Sequence, residues 1–322
     1  MSRPSPHSGP IRRRTFLIGA AATGLLSACG SDGDGVAPQD DADENTGAGV
    51  LPAQGEGDGS VAPEFAGDSA DLDEGTFSII QRYPSNVAGP GEIRLPFSLS
   101  NAEAQFVTDG PLSLGAQIVD LDGNEVGSRL TAVRRDVAPS PYYAFRAQVD
   151  TPGFYAIVVD GGPVEGANFQ VMESSTLTIP SPGDTLAGFD TPTPGAPAGI
   201  DPICTREPNC DFHSVTLTGA LADARPVAYF VGTPAFCQTG SCAPALEALI
   251  EVAPDYSDTM RIVHAEVFTD LTATTIAPAV EAVKMTFEPA LFITDADGTI
   301  IERVDGLWDV SELRERFDAA LA

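Results

Sequence analysis

The sequence predicts a chain of two folded domains, an all-β domain followed by an α/β domain. Between residues 76 and 173, short runs of alternating apolar and polar residues are separated by turn residues. From residue 214 onward, strand-like apolar runs alternate with runs that have helical periodicity. The chain has 322 residues, of which 43% are hydrophobic, so it is long enough to bury a core in each domain.

The first 29 residues have the pattern of an export signal. Three arginines at positions 12–14 are followed by Thr15, Phe16 and Leu17, then by a short Ala/Gly/Leu-rich stretch, and this resembles a twin-arginine signal peptide. Residues 26–29, Leu-Ser-Ala-Cys, resemble the lipobox of bacterial lipoproteins. The resemblance implies that residues 1–28 are removed and that Cys29 is lipidated. The protein is then exported by the twin-arginine route and anchored by lipid to the outer face of the cytoplasmic membrane. The alternative is an ordinary secretory signal in which the cysteine occurs by chance.

Residues 29–74 predict a flexible acidic tether. They are rich in Gly, Asp, Ala and Pro and contain too little apolar surface to fold. The whole chain carries a net charge of −29, which repels nucleic acid and anionic lipid headgroups. We therefore expect no nucleic-acid partner, and contact with the membrane through the lipid anchor only.

Residues 75–175 predict an immunoglobulin-like β-sandwich. The segment contains at least six short alternating runs, and Asp122-Gly123 is a hairpin-turn signal between residues 117–119 and the short segment 125–126. It contains no histidine or cysteine, which excludes a thiolate or imidazole metal site here. We expect a spacing or partner-binding role. The predicted strands are 76–80, 92–98, 114–120, 144–149, 154–160 and 169–173.

A proline-rich connector, residues 176–212, follows and carries Cys204 and Cys210. In an exported protein an even number of cysteines favours disulfides. The first interpretation of this pair is a structural disulfide across a short loop, which stabilises by about 2 kcal/mol in the chain-entropy model. A zinc site of these two cysteines with His213 would need a fourth ligand. His264, in a predicted buried strand, is interpreted as a core histidine.

Residues 213–322 predict an α/β domain in which strands and helices alternate before a closing hairpin and a last helix. Leu313, Phe317 and Leu321 recur at helical spacing near the end of the chain. The predicted strands are 215–216, 226–231, 261–268, 290–294 and 299–304, and the predicted helices are 218–224, 242–252, 277–283 and 310–321.

The landmarks of this last segment resemble the thioredoxin fold. An apolar strand at 226–231 precedes Cys237 and Cys242 at the start of a helix, and Phe-Glu-Pro-Ala at 287–290 precedes a closing hairpin. The resemblance covers roughly residues 213–322, in the manner of exported thioredoxin-like lipoproteins. It implies a cis-Pro289 facing the cysteine pair, no bound cofactor or metal, and protein thiols or disulfides as partners.

The segment also departs from the thioredoxin pattern. Four residues separate Cys237 from Cys242, where the family has two, and Gly240 suggests a local loop that closes this gap. With Ser241 as N-cap, Cys242 is expected to gain most from the helix dipole.

The buried aspartate of thioredoxins has no counterpart in the predicted strand. Glu266 and Glu288 are therefore the candidate proton acceptors near the cysteine pair.

Three functional hypotheses follow. The first is thiol-disulfide exchange on extracytoplasmic proteins, with Cys237, Cys242 and Pro289 as the catalytic residues. In this hypothesis Cys204 and Cys210 either form a disulfide staple or exchange with the catalytic pair. The second is a redox-inert scaffold or binding lipoprotein whose disulfides are structural. The third is copper handling by two close cysteines, although no histidine follows Pro289.

Overall fold

The computed structural model describes Ser69, residues 72–138 and residues 140–322. The predicted signal peptide, Cys29 and nearly all of the tether lie outside these residues, so export and lipidation stay predictions. Two β-sheets and four helices make up the described part of the chain. Within that part, no helix combines the length and apolar character needed to cross a membrane.

The first sheet contains seven antiparallel strands in the order β1-β2-β5-β4-β3-β6-β7. Its strands lie close to the alternating runs in the sequence, and their apolar side chains, such as Leu95, Phe97 and Leu99, form a buried core. The hairpin predicted at Asp122-Gly123 joins β3 to β4, and Gly123 has a φ of 81°, which favours glycine. The strands are β1 (Ser78–Gln81), β2 (Gly91–Ser100), β3 (Ser113–Asp120), β4 (Glu125–Arg135), β5 (Tyr142–Val149), β6 (Gly153–Val159) and β7 (Ala167–Val171).

The prediction of an immunoglobulin-like sandwich is wrong, because these strands form one sheet rather than two. The responsible strand is β4, whose eleven residues exceed the short segment expected after the Asp122-Gly123 turn. Most of β4 pairs with β3, and its last residues, Arg134 and Arg135, pair with β5. Strand β4 therefore joins the group β1-β2-β5 to the group β3-β6-β7, and a sandwich would keep these groups in separate sheets. Alternation in the sequence reports which residues face a core, but it does not report which strands are neighbours.

The second sheet has four strands in the order β11-β10-β8-β9. Only β8 and β9 are parallel, and the other two pairings are antiparallel. The strands are β8 (Val227–Val231), β9 (Arg261–Ala265), β10 (Ala290–Thr294) and β11 (Ile300–Asp305), and the helices are α1 (Leu217–Leu221), α2 (Cys242–Tyr256), α3 (Pro278–Ala282) and α4 (Val310–Ala320).

The prediction of an α/β thioredoxin-like class for this region is also wrong, since the described chain is mostly β with few helices. Helices α1 and α3 have only five residues each. The strand predicted at 215–216 is absent because Thr216 caps α1, its side-chain oxygen accepting the N–H of Gly219 at 3.0 Å. The fold class of a sandwich followed by an α/β domain is therefore replaced by a mainly β chain with two sheets.

A buried ion pair connects the first sheet to the C-terminal helix. Arg94 on β2 donates to both carboxylate oxygens of Glu312 on α4, at 2.6 and 2.7 Å, and both side chains are buried. The hydroxyl of Tyr142 donates to the same carboxylate at 2.6 Å. Burial acts to raise the pKa of Glu312, but the charge and hydrogen bonds of Arg94 outweigh it and lower that pKa to about 2.

We predict that Glu312→Gln destabilises the protein by about 3–5 kcal/mol, since it leaves Arg94 buried without its counter-charge. The folded-state pKa of Glu312 lies below its usual 4.5, so its stabilisation is complete above about pH 4.5 and is lost as the pH falls toward 2. Urea unfolding between pH 7 and pH 2 measures both effects, and the variant should show a flatter acid limb.

The matched control is Asp255→Asn, which removes an exposed ion pair with Arg314. We expect a change below about 1 kcal/mol from this variant. Equal destabilisation by the two variants would contradict the account of the buried pair.

Candidate functional site

The pairing of β8 with both of its neighbours brings three chain segments to one edge of the second sheet. Val231, the last residue of β8, is opposite Ala265 at the end of β9 and Ala290 at the start of β10. The residues that follow β8, follow β9 and precede β10 therefore meet at this edge. All four described cysteines lie in the clusters that form around it.

A tight turn closes the four-residue gap between Cys237 and Cys242. The N–H of Gly240 donates to the carbonyl of Cys237 at 3.1 Å, and Gly240 has a φ of 68° in the left-handed region. Helix α2 begins at Cys242. The two Sγ atoms and a carboxylate oxygen of Glu288 lie within 4.8 Å of one another. The unusual spacing thus still produces a close pair.

Cys237 is the more accessible and more acidic thiol of this pair. It is half-buried, and its Sγ accepts the backbone N–H of Cys242 at 3.4 Å and lies 3.2 Å from Thr239 Oγ1. The pKa of Cys237 is lowered to about 5, and hydrogen bonding from the Cys242 thiol is the largest cause. Partial burial acts to raise this pKa. Hydrogen bonds from Thr239 and from the N–H groups at the start of α2 lower it further. We expected Cys242 to gain most from the helix, but the first N–H of α2 is aimed at Cys237 instead.

Cys242 is fully buried beside an acid. Its Sγ lies 3.4 Å from Glu288 Oε2, and burial raises the pKa of Cys242 well above its usual range. The same carboxylate oxygen accepts the N–H of Thr233 at 2.9 Å, which fixes its position. Burial also raises the pKa of Glu288 to about 7. Glu288 is thus able to take up or release a proton near neutral pH.

Pro289 lies next to this acid, and the Glu288–Pro289 peptide bond is cis. A Cβ added to Gly232 would lie 3.1 Å from Pro289 Cβ, and closer still to the ring of Phe230. The end of β8 and the proline segment are therefore in close contact, with no room for a side chain at position 232.

The other candidate acid, Glu266, does not contact the Cys237/Cys242 pair. Its carboxylate accepts the N–H of Thr205 at 2.6 Å and the Thr205 hydroxyl at 3.2 Å. The Thr205 hydroxyl lies 3.4 Å from Thr233 Oγ1. Glu266 therefore fixes the cysteine-bearing connector against the end of β8, and of the two candidates only Glu288 contacts a thiol of the pair.

A second cluster of cysteines and histidines includes Cys204, which precedes Thr205 in the chain. Cys204, Cys210, His213 and His264 are all buried, and one ligand atom from each lies within 4.8 Å of the others. The Sγ atoms of Cys204 and Cys210 are 3.8 Å apart, whereas a disulfide needs about 2.05 Å. The predicted staple is therefore not at bonding distance.

His264 is the site residue that the sequence did not identify. It was assigned to the core, and it is indeed fully buried in β9. Its Nδ1, however, lies 3.4 Å from the Sγ of Cys210. No spacing within the sequence relates position 264 to the connector. The two meet because the connector pairs with β9, where the backbone N–H of His264 donates to the carbonyl of Phe212 at 3.1 Å.

A cleft of about 620 Å³ lies elsewhere, between the edge of the first sheet and β11. Its lining includes Arg94, Arg146, Arg303 and Asp305 but none of the described cysteines or histidines. The thiol chemistry and this cleft are therefore separate features.

No protein-family model and no curated protein sequence matches this chain.

We predict that Cys242→Ala raises the pKa of Cys237 from about 5 toward its usual 9, because the variant removes the thiol that lowers it most. Cys242→Ser is the matched variant and should produce a smaller rise, since a hydroxyl still donates. Peptide-resolved alkylation rates measured from pH 4 to pH 10 give both values. The same pH midpoint in all three proteins would contradict this assignment.

Proposed function

We propose that this protein catalyses thiol-disulfide exchange, with Cys237 as the attacking thiolate and Cys242 as the resolving thiol. Glu288 is the proton acceptor for Cys242. The proposed substrates are disulfides or thiols of extracytoplasmic proteins, which an exported, lipid-anchored protein would meet.

The observation that carries the proposal is the asymmetry of the pair. Exchange requires one thiol that is accessible and ionised, because the thiolate is the nucleophile. It also requires a second thiol that stays protonated until the first has reacted. Cys237 is half-buried with a pKa of about 5, whereas Cys242 is buried with a pKa far above neutrality. Cys204, Cys210 and Cys242 are all buried, so of the four described cysteines only Cys237 is partly exposed to a substrate disulfide.

In the first step, the Cys237 thiolate attacks one sulfur of the substrate disulfide. A mixed disulfide forms, the substrate S–S bond breaks, and the departing thiolate takes a proton from water. In the second step, Glu288 accepts the Cys242 proton, and the new thiolate attacks the Cys237 sulfur. The Cys237–Cys242 bond forms, the second substrate thiolate leaves, and the substrate has gained the two electrons that the pair has lost. The reverse sequence oxidises a substrate dithiol.

The support comes from these side chains and not from the fold class. The Glu288 carboxylate is already within hydrogen-bond reach of the proton it would take, and its pKa of about 7 suits a base at neutral pH. Pro289 is positioned beside it, against the end of β8.

The test is a single-turnover reduction of insulin disulfides by the pre-reduced full chain carrying Cys29→Ser, which leaves the four described cysteines as its only thiols. Cys237→Ser should abolish activity, and Cys242→Ser should accumulate a mixed disulfide with substrate because resolution fails. Gln238→Ala, an exposed change in the same turn, is the control and should keep full activity.

Unchanged activity in both cysteine variants would overturn the proposal. It would favour a redox-inert scaffold or binding lipoprotein. Tight Cu(I) binding that requires Cys237 and Cys242, in the absence of exchange activity, would instead favour copper handling.

We further predict that Glu288→Gln slows resolution of the mixed disulfide by about 100-fold or more, the usual size of a general-base contribution. The carboxylate accepts a proton only when ionised, so the wild-type rate should rise with pH through about 7, and the variant should lose this rise. Stopped-flow measurement of the second step from pH 5 to pH 9 tests the prediction. Glu281→Gln, which removes an exposed acid on α3, should keep the wild-type profile.

A further inference from the structure

The buried cluster of Cys204, Cys210, His213 and His264 has no part in the proposed exchange reaction. Its ligand atoms are two sulfurs and two imidazole nitrogens, which is a donor set that tetrahedral Zn²⁺ sites use. The sequence had supplied three of these ligands and lacked a fourth, and β9 provides it as His264.

The distances within the cluster fit a common tetrahedral centre. With Zn–S bonds of about 2.3 Å, two sulfurs on a tetrahedral ion lie about 3.8 Å apart. The Sγ atoms of Cys204 and Cys210 are 3.8 Å apart. With a Zn–N bond of about 2.05 Å, a sulfur and a nitrogen lie about 3.6 Å apart. The Nδ1 of His264 is 3.9 Å from Cys204 Sγ and 3.4 Å from Cys210 Sγ. One distance is therefore slightly longer, and the other slightly shorter, than the sulfur–nitrogen separation on a tetrahedral zinc ion.

The hydrogen bonding of His264 orients it as a ligand. Its Nε2 lies 2.9 Å from the carbonyl oxygen of Gly232, which can only accept, so Nε2 carries the proton. In the neutral ring this leaves the lone pair on Nδ1, directed at the two sulfurs. A backbone carbonyl that fixes the tautomer of a ligating histidine is a recurring feature of metal sites.

His213 supplies an independent indication. It is only 3% exposed, and neither of its ring nitrogens has a hydrogen-bond partner in the described part of the chain. A buried polar group without a partner is costly and calls for an explanation. Its ring centroid lies 4.8 Å from that of His264, and one of its nitrogens lies within 4.8 Å of both sulfurs. A metal bond would satisfy this nitrogen, whereas a Cys204–Cys210 disulfide would leave both of its nitrogens unpaired.

We propose that Cys204, Cys210, His213 and His264 form a buried, closed Zn²⁺ site that ties the connector to β9. Four protein ligands complete a tetrahedral shell and leave no position for substrate, so the role is structural. Coordination also holds both sulfurs as metal-bound thiolates. The site thereby keeps this pair from exchanging with Cys237 and Cys242, which lie beyond Thr205 and Thr233.

The test measures metal in the full chain carrying Cys29→Ser, purified without added chelator. We expect one zinc per chain by elemental analysis. Replacement by Co²⁺ should give the strong visible bands of a tetrahedral ion, together with sulfur-to-cobalt charge-transfer bands. Both readouts are independent of exchange activity.

Variants separate the metal site from the redox pair. Cys210→Ser and His264→Gln should each lower Zn²⁺ affinity at least tenfold in a chelator competition, and the Cys237→Ser/Cys242→Ser double variant should bind normally. A Cys204–Cys210 disulfide with no bound zinc in protein purified under anaerobic conditions would overturn the proposal. So would unchanged Co²⁺ spectra in His264→Gln. If a cysteine or histidine variant does not fold, the cobalt spectrum of the double variant still decides whether a tetrahedral thiolate site exists.

Discussion

The position of β8 between a parallel and an antiparallel neighbour is the constraint on which the candidate site depends. Val231 faces Ala265 on one side and Ala290 on the other, so three connections reach the same edge of the sheet. One connection carries the Cys237/Cys242 turn, the second carries Glu266, and the third carries Glu288 and Pro289. The three connections are far apart in the sequence, and the pairing of the strands brings them to one edge.

Burial and hydrogen bonding then give the thiols different properties. Cys237 is partly accessible and accepts hydrogen bonds that favour its thiolate, whereas Cys242 is enclosed beside Glu288. The connector cysteines are enclosed beside two histidines, and Nδ1 of His264 faces the sulfur of Cys210. Glu266, Thr205 and Thr233 lie between the two clusters and fix their separation through short hydrogen bonds and contacts. The proposed division of roles, exchange at one cluster and metal binding at the other, follows from these local environments.

Much of the local structure could be predicted from the sequence, because it depends on local chemistry. Strand β10 was predicted at its observed bounds, and α2 was predicted to begin at Cys242, where the Gly240 turn ends. The architecture was not predictable in the same way, since strand pairing is a long-range property and β4 joins what looked like two groups of strands. Long-range contacts also explain the misassigned site residues. His264 looked like any buried histidine until the connector packed against it, and the helix N–H groups favour Cys237 because the turn folds back over the helix end.

The central claim is that Cys237 and Cys242 form a redox pair while Cys204 and Cys210 do not exchange. The most direct measurement is an equilibrium titration of the native protein in glutathione buffers, with peptide-resolved mass spectrometry of every thiol. The account predicts a single two-electron transition that forms a Cys237–Cys242 bridge, while the connector thiols stay reduced throughout. A Cys237–Cys242 pair that stays reduced, or stays bridged, across the whole range of buffers would contradict it.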